Sequence, residues 1–217
     1  MDVPTAKRIQ AELGQLVRVQ PLKKLPEMIA GVDAAFIEEE ELIWAAAVVM
    51  ELPQLRVIET SVVSGRINFP YIPGLLAFRE GPVILDALEK LSLQPDLILF
   101  DGHGIAHPQR AGIATHFGIL LNKPTIGCAK TPLIGTYDKP DEEKGSHSSL
   151  TFNGEQIGLV VRSRTGIKPV YVSPGHLVDF NDSLQIVLQT CNRYRLPEPI
   201  RLAHQAANKA RRLHGVG

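Results

Sequence analysis

Three carboxylates in this 217-residue chain stand where a carboxylate is costly or well placed for chemistry. Asp33 interrupts the apolar run Ala30-Gly-Val-Asp-Ala-Ala-Phe36. A charge in such a strand needs water, a partner or a metal; an edge or solvent-facing position is the alternative. Asp101 closes Leu97-Ile-Leu-Phe100 and precedes Gly102-His-Gly104. Open α/β sheets place ligand-contacting groups at the carboxyl ends of buried strands, although a turn or cap aspartate reads the same way. Glu80, after Phe78-Arg79, falls in a helical stretch where a glutamate is usually solvated. A strand Asp, a helix Glu and a strand-end Asp can converge on one sheet edge. Such hard oxygen ligands suit magnesium or manganese, and ions held this way activate water and stabilise the leaving oxygen in phosphodiester hydrolysis.

Other residues extend the pattern. His103 and His107 have a metal-binding spacing if helical, but Gly104 and Pro108 oppose a helix, so no zinc pair is expected. His107 is close enough in sequence to Asp101 to position a water or a phosphate. His116 reads as core or surface, and His204 lies on a last helix that could lean over the sheet edge. Phe69-Pro-Tyr-Ile-Pro-Gly74 holds Tyr71 and Ile72 between two prolines. A stiff aromatic tip of this kind parts base steps in nucleic-acid enzymes; a loop packed on its own core reads equally well. Between residues 191 and 217, Arg193, Arg195, Arg201, Lys209, Arg211 and Arg212 face one acid, Glu198. That excess describes a phosphate-facing patch or a solvated helix.

The elements needed to position these residues follow from periodicity. Apolar Ile9, Leu13, Leu16 and Val17 predict a helix over Thr5–Val17, with Thr5 as a candidate cap. Met28–Ile37, Leu42–Glu51 and Leu55–Ser64 read as strands with short connections, hence an antiparallel meander, with Glu38–Glu41 as a solvated turn. A helical stretch opens at Pro73-Gly74 and runs to Leu91. The strand Asp96–Asp101, a helix over Gln109–Leu121 and the strand Pro124–Cys128 predict a right-handed parallel crossover. Phe152-Asn-Gly-Glu155 is a hairpin turn, Lys168–Ser173 a short strand, and Asn181–Tyr194 and Pro199–Leu213 two closing helices. The fold class is therefore α/β, a mixed sheet of meander and parallel strands flanked by helices. Residues 1–217 read as a single domain.

Composition narrows the function. Hydrophobic residues make up 44% and charged residues 21%, ordinary globular usage that excludes disorder and coiled coil. With 23 basic and 23 acidic side chains, bulk charge does not drive nucleic-acid binding, and a local basic face is required. Cys128 and Cys191 are too few for a four-cysteine zinc site and read as reduced core residues. No secretory signal and no membrane-length apolar run is present, so a cytoplasmic protein without membrane association is expected.

Gly31-Val-Asp33, Pro70-Tyr-Ile-Pro-Gly74 with Phe78-Arg-Glu80, Asp101-Gly-His-Gly104 with His107-Pro108, and Ala129-Lys130 closely resemble the endonuclease V family, the deoxyinosine-directed nucleases. The resemblance runs from about Asp33 to Ser173-Pro-Gly-His176. It implies a ribonuclease H-like fold, a magnesium site (manganese substituting) at Asp33, Glu80 and Asp101, and His204 as a fourth active-site residue. It implies that His107 and Lys130 contact substrate phosphate or assist catalysis. It also implies that Tyr71, with Pro70, Ile72, Pro73 and Gly74, forms a DNA-binding wedge beside an everted hypoxanthine. The family cuts the second phosphodiester bond 3′ to inosine, leaving 3′-hydroxyl and 5′-phosphate ends. The partner implied is deoxyinosine-containing DNA or inosine-containing RNA, and a monomer is expected. Hypoxanthine pairs weakly, so its eversion is less costly than that of a normal base. Backbone amides near Gly74 and Gly102–Gly104 are candidate donors to it. Gln109 is inserted where the family runs from Pro directly to Arg, which leaves Arg110 outside the expected site.

Two other readings use the same residues. A ribonuclease H-like nuclease for inosine-containing RNA or branched nucleic acid needs the acids but not Tyr71. A nucleic-acid-binding module with a degenerate site is the non-enzymatic reading, and the presence of all three acids argues against it.

Overall fold

β-Branched and alanine-rich runs alternate between two buried faces, and this alternation sets the architecture. The computed structural model describes residues 1–214; residues 215–217, the end of the basic stretch and of the expected domain, lie outside the described residues. A helix α1 (Val3–Leu16) precedes strands β1 (Met28–Ile37), β2 (Leu42–Glu51) and β3 (Arg56–Arg66). Helix α2 (Leu76–Glu89), strand β4 (Leu97–Phe100), helix α3 (Ile113–Leu121) and strand β5 (Thr125–Ala129) follow. Strands β6 (His147–Phe152), β7 (Glu155–Val161) and β8 (Val170–His176) and helices α4 (Phe180–Thr190) and α5 (Glu198–His214) complete the chain.

The eight strands form one sheet in the order β3-β2-β1-β4-β5-β8-β7-β6. β1, β2 and β3 are the expected antiparallel meander. β4 adds to β1 in parallel and β5 adds to β4 in parallel, each after a helix. This is the mixed sheet that the motifs imply. Odd-numbered Ile29, Leu97 and Leu99 face one apolar layer with Val187 of α4 and Ile200 and Ala203 of α5. Even-numbered Ala30, Val32, Ile98 and Phe100 face the other, with Ile84 of α2 and Phe117 of α3. A strand buried on both sides gains the hydrophobic term twice.

Several boundaries differ from the expectation for local reasons. Asp2, not Thr5, caps α1: its carboxylate accepts from the Thr5 N–H at 3.0 Å. α1 turns Ala6 and Gln10 inward while Leu16 is exposed, so its packed face is displaced from the apolar one. α3 starts at Ile113, because Arg110 takes a positive φ of 54° and holds residues 109–112 as a loop. α4 stops at Thr190 and β8 runs on to His176. The hairpin turn is present, with positive φ at Asn153 (52°) and Gly154 (80°), the signature of a type I′ turn. It is flanked by strand β6, whose sequence is half polar, and strand β7, which is apolar from Ile157 on. The acidic run is one 3-10 turn over Glu38–Glu40, and Glu38 is not merely solvated, since it pairs with Arg79. Cys128 and Cys191 are buried free thiols.

Candidate active site

The last residue pair in the β1–β4 register is Val32 with Phe100. Asp33 and Asp101 come next on each strand, so they stand side by side at the carboxyl end of the parallel pair, about 4.8 Å apart in the hydrogen-bonding direction. Both have the parity of the face that packs against α5. Asp33 Oδ1 accepts from the Ala34 N–H at 2.9 Å, and Oδ2 lies 2.6 Å from His204 Nδ1. Asp101 is ion-paired with the half-exposed Lys130, which follows β5. Glu80 enters from the first turns of α2 and is 7% exposed.

The electrostatics tie the three acids together. Burial raises the Asp33 carboxyl from 3.8 to about 6, and the neighbouring Asp101 charge adds to the rise, against the His204 contact. Burial raises Glu80 from 4.5 to about 8, with further repulsion from Asp33 and Asp101 and partial relief from Arg79. Carboxylates that perturb one another in this way are a strongly anionic cluster at a strand-end cleft. Among the described residues no three His, Cys, Asp or Glu side chains stand in ready-made coordination round one point. The donor set nevertheless fits a hard divalent cation. It is all oxygen, anionic and mutually repelling, and Lys130 already offers positive charge to Asp101.

Beside the acids lies the loop Pro70–Gly74. Tyr71 is 66% exposed, while Phe69 and Leu75 at the loop's ends are buried with Ala6 of α1. Ile72 is half-buried against this cluster, and its carbonyl accepts from the Leu75 N–H at 2.9 Å. The prong is therefore exposed at its tip and packed at its root. Arg79, next to Glu80, fastens the start of the loop: Nη1 donates to the Phe69 carbonyl at 3.0 Å and Nη2 reaches Glu38 at 2.6 Å. A cavity of about 310 Å³ lies between the prong and Asp101, lined in part by Tyr71, Gly74, Asp101, Gly102, Ile113 and Lys130. That volume lies at the small end of ligand pockets.

The structure thus brings Asp33, Glu80, Asp101, Lys130 and His204 to one cleft, with Pro70, Tyr71, Ile72, Pro73 and Gly74 on its rim. His107 lines the same cavity. It is buried, and both ring nitrogens are engaged within the protein: Nδ1 by the Gln109 N–H at 3.1 Å, Nε2 by the Gly74 carbonyl at 2.9 Å. Burial lowers its pKa, and its two ring contacts make it a strut under the prong. Burial also lowers His103, to about 4. The Gly104 N–H is taken by Ser173 Oγ at 2.8 Å, which corrects its expected role as a donor to a base. Arg110 pairs with Glu155 on the β6–β7 hairpin. Arg79 and Gln10 were missed. Arg79 gave one signal, an arginine adjoining Glu80 on an apolar helix; Gln10 gave none, because a glutamine on a helix is read as solvated.

The family model described as Endonuclease V matches residues 11–205. An endonuclease V from Dictyoglomus thermophilum is 46% identical over 203 residues, which cover 94% of this chain and 88% of that one. One from Trichormus variabilis is 47% identical over 209 residues, covering 96% and 95%. Among solved structures, the Streptomyces avermitilis endonuclease V superposes with a TM-score of 0.94 at 38% identity, covering 99% of this chain and 95% of that one. Human ENDOV superposes at 0.89 with 28% identity, covering 99% and 100%. A family model over most of the chain and relatives this similar over nearly its whole length show that the chain belongs to the endonuclease V family and is a nuclease.

Proposed function

We propose that residues 1–217 act as a single, monomeric, cytoplasmic domain that nicks DNA at the second phosphodiester bond 3′ to deoxyinosine, with magnesium as the cation. The observation that carries this reading is the meeting of Asp33, Asp101 and Glu80 beside an exposed prong and a base-sized cavity. A Ciona intestinalis endonuclease V of the same fold was solved with a 24mer DNA containing an inosine followed by a ribo-adenosine.

Asp33, Glu80 and Asp101 would hold the cation. When bound there, magnesium supplies a water of lowered pKa and an electrophilic contact for phosphate oxygens. The protein's own groups do the rest. Lys130, half-exposed beside Asp101, offers its ammonium to a phosphate oxygen. His204, on Asp33 and open to solvent, holds or passes a proton at the cleft mouth. Tyr71 enters the stack and fills the gap left by an everted base, and the cavity behind Gly74 receives that base. Weak pairing of hypoxanthine lowers the eversion cost, which favours deaminated over normal adenine. Cleavage leaves 3′-hydroxyl and 5′-phosphate ends.

Matched oligonucleotides carrying inosine or adenine, as DNA and as RNA, test the reading with magnesium present and the cut mapped. A nick one nucleotide beyond the 3′ neighbour bond of inosine in DNA is expected, with little cutting of the adenine control. Equal cutting of both bases rules it out. Preference for the RNA strand would favour recognition through the 2′-hydroxyl instead.

A further inference from the structure

Gln10 is among the few buried polar side chains, 3% exposed, on a helix that takes no part in the acid cleft. Its amide nitrogen donates to two carbonyls, Gly74 at 2.6 Å and Ala111 at 3.0 Å. Both partners are acceptors, so the nitrogen rather than the oxygen of the amide must face them. These carbonyls belong to two separate segments beside the cavity. Gly74 ends the prong and lines it; Ala111 immediately precedes Gly112 and Ile113, which open α3 and line it too.

The histidine beneath completes the arrangement. A backbone N–H can only donate, so the Gln109 N–H fixes His107 Nδ1 as an acceptor and leaves the ring proton on Nε2. That proton goes to the Gly74 carbonyl. Two donors, from α1 and from the loop after β4, therefore converge on the two lone pairs of one oxygen. Their 3.5 Å separation is the distance between co-donors, not a hydrogen bond. Gly74 itself has φ +85°, and a Cβ there would stand 2.9 Å from His107 Nε2. Gly14, one turn beyond Gln10, lets α1 reach the loop before α3: a Cβ there would lie 2.0 Å from the Gln109 carbonyl.

We propose that Gln10 is a positioning residue for base selection, its single amide setting the gap between the prong and the start of α3. The inference rests on the reading that the cavity takes the everted base. A slot pinned from both sides rejects bases by shape, whereas a slot free to widen does not. Nothing in Asp33, Glu80 or Asp101 depends on this amide, so its effect falls on which base is bound.

The test is binding of fluorescein-labelled duplexes with inosine or adenine, measured by anisotropy in EDTA, well below the melting temperature. Gln10→Met keeps the side chain's volume and removes the donor. The inosine-over-adenine affinity ratio is expected to fall about tenfold, the effect of losing about one to two net hydrogen bonds. Amide hydrogen exchange should quicken in residues 70–75 while β1 and β2 keep their protection. Gln10→Asn retains a buried amide but shortens its reach, and should behave alike if the Met variant does not fold. A variant ratio within twofold of wild type overturns the inference. A wild type without preference for inosine would instead remove the base-pocket reading, and this inference with it.

Discussion

Asp101 and Lys130 form an ion pair at the cleft, and the two residues answer different questions. The aspartate belongs to the acid cluster; the lysine beside it is the one proposed to meet a phosphate. Asp101→Asn keeps shape and hydrogen bonding while removing one anionic carboxylate from the cluster. Its turnover on inosine DNA is expected to drop at least about a hundredfold, more than the cost of losing a supporting partner, with binding retained. Lys130→Ala should weaken binding to inosine and plain duplexes alike and lower the salt slope of binding by about one. Gel shift and single-turnover cleavage separate the two. An Asp101→Asn protein that cuts at the wild-type rate would remove this acid from the mechanism. Asp33 and Asp101 were readable in the sequence as a charge inside β1 and a charge following β4, whereas Glu80, an ordinary helix glutamate by itself, gained meaning only in their company and through the family resemblance. His107 was readable as a site residue but not in its position, since nothing in His-Pro-Gln-Arg says that the Gln109 N–H folds back onto the ring.

Helix α5 reaches Asp33 only because β1 lets it come close. A Cβ on Gly31 would stand 2.1 Å from the Pro199 backbone and 2.4 Å from the Ile200 nitrogen, so the glycine is a contact surface for the start of α5. One turn further along that helix, His204 meets Asp33 at 2.6 Å. Gly31→Ala must push α5 outward, and overpacking of this kind costs about 1–3 kcal/mol. A fall of a few degrees in melting temperature is expected, with a larger relative loss of cleavage because His204 is drawn from Asp33. A variant that melts and cuts like wild type would show that the spacing is not set there. Strong periodicity predicted most elements, and β1 and β2 carry the same bounds in sequence and structure. It located α1 but not its packed face, whose inward line Ala6–Gln10–Gly14 is small and polar because that face lies against the Gln109 backbone. It also failed on β6, where edge-strand polarity hides the pattern.

Across the whole molecule, the acid cleft works against the stability of the fold. Glu80 titrates near 4.5 when unfolded and at about 8 when folded, and Asp33 moves from 3.8 to about 6. Between these values the folded state binds more protons than the unfolded one. Stability therefore falls as pH rises, from no penalty below the unfolded values to the full penalty above about 8. Glu80→Gln has no charge to bury at any pH. Without divalent cation it should melt several degrees above wild type near pH 8.5. That gap should close on acidification toward the unfolded value, narrowing by about 1.4 kcal/mol for each whole step in pH. A cation that binds the ionised acids reverses the effect, because it stabilises only the folded state. Added magnesium should raise the melting temperature of wild type at high pH and raise that of Glu80→Gln much less. Parallel melting curves for the two proteins at every pH would mean that Glu80 is not a buried member of the cluster. The sum of 23 acids and 23 bases conceals this, since a neutral chain still concentrates one sign of charge where its strands end.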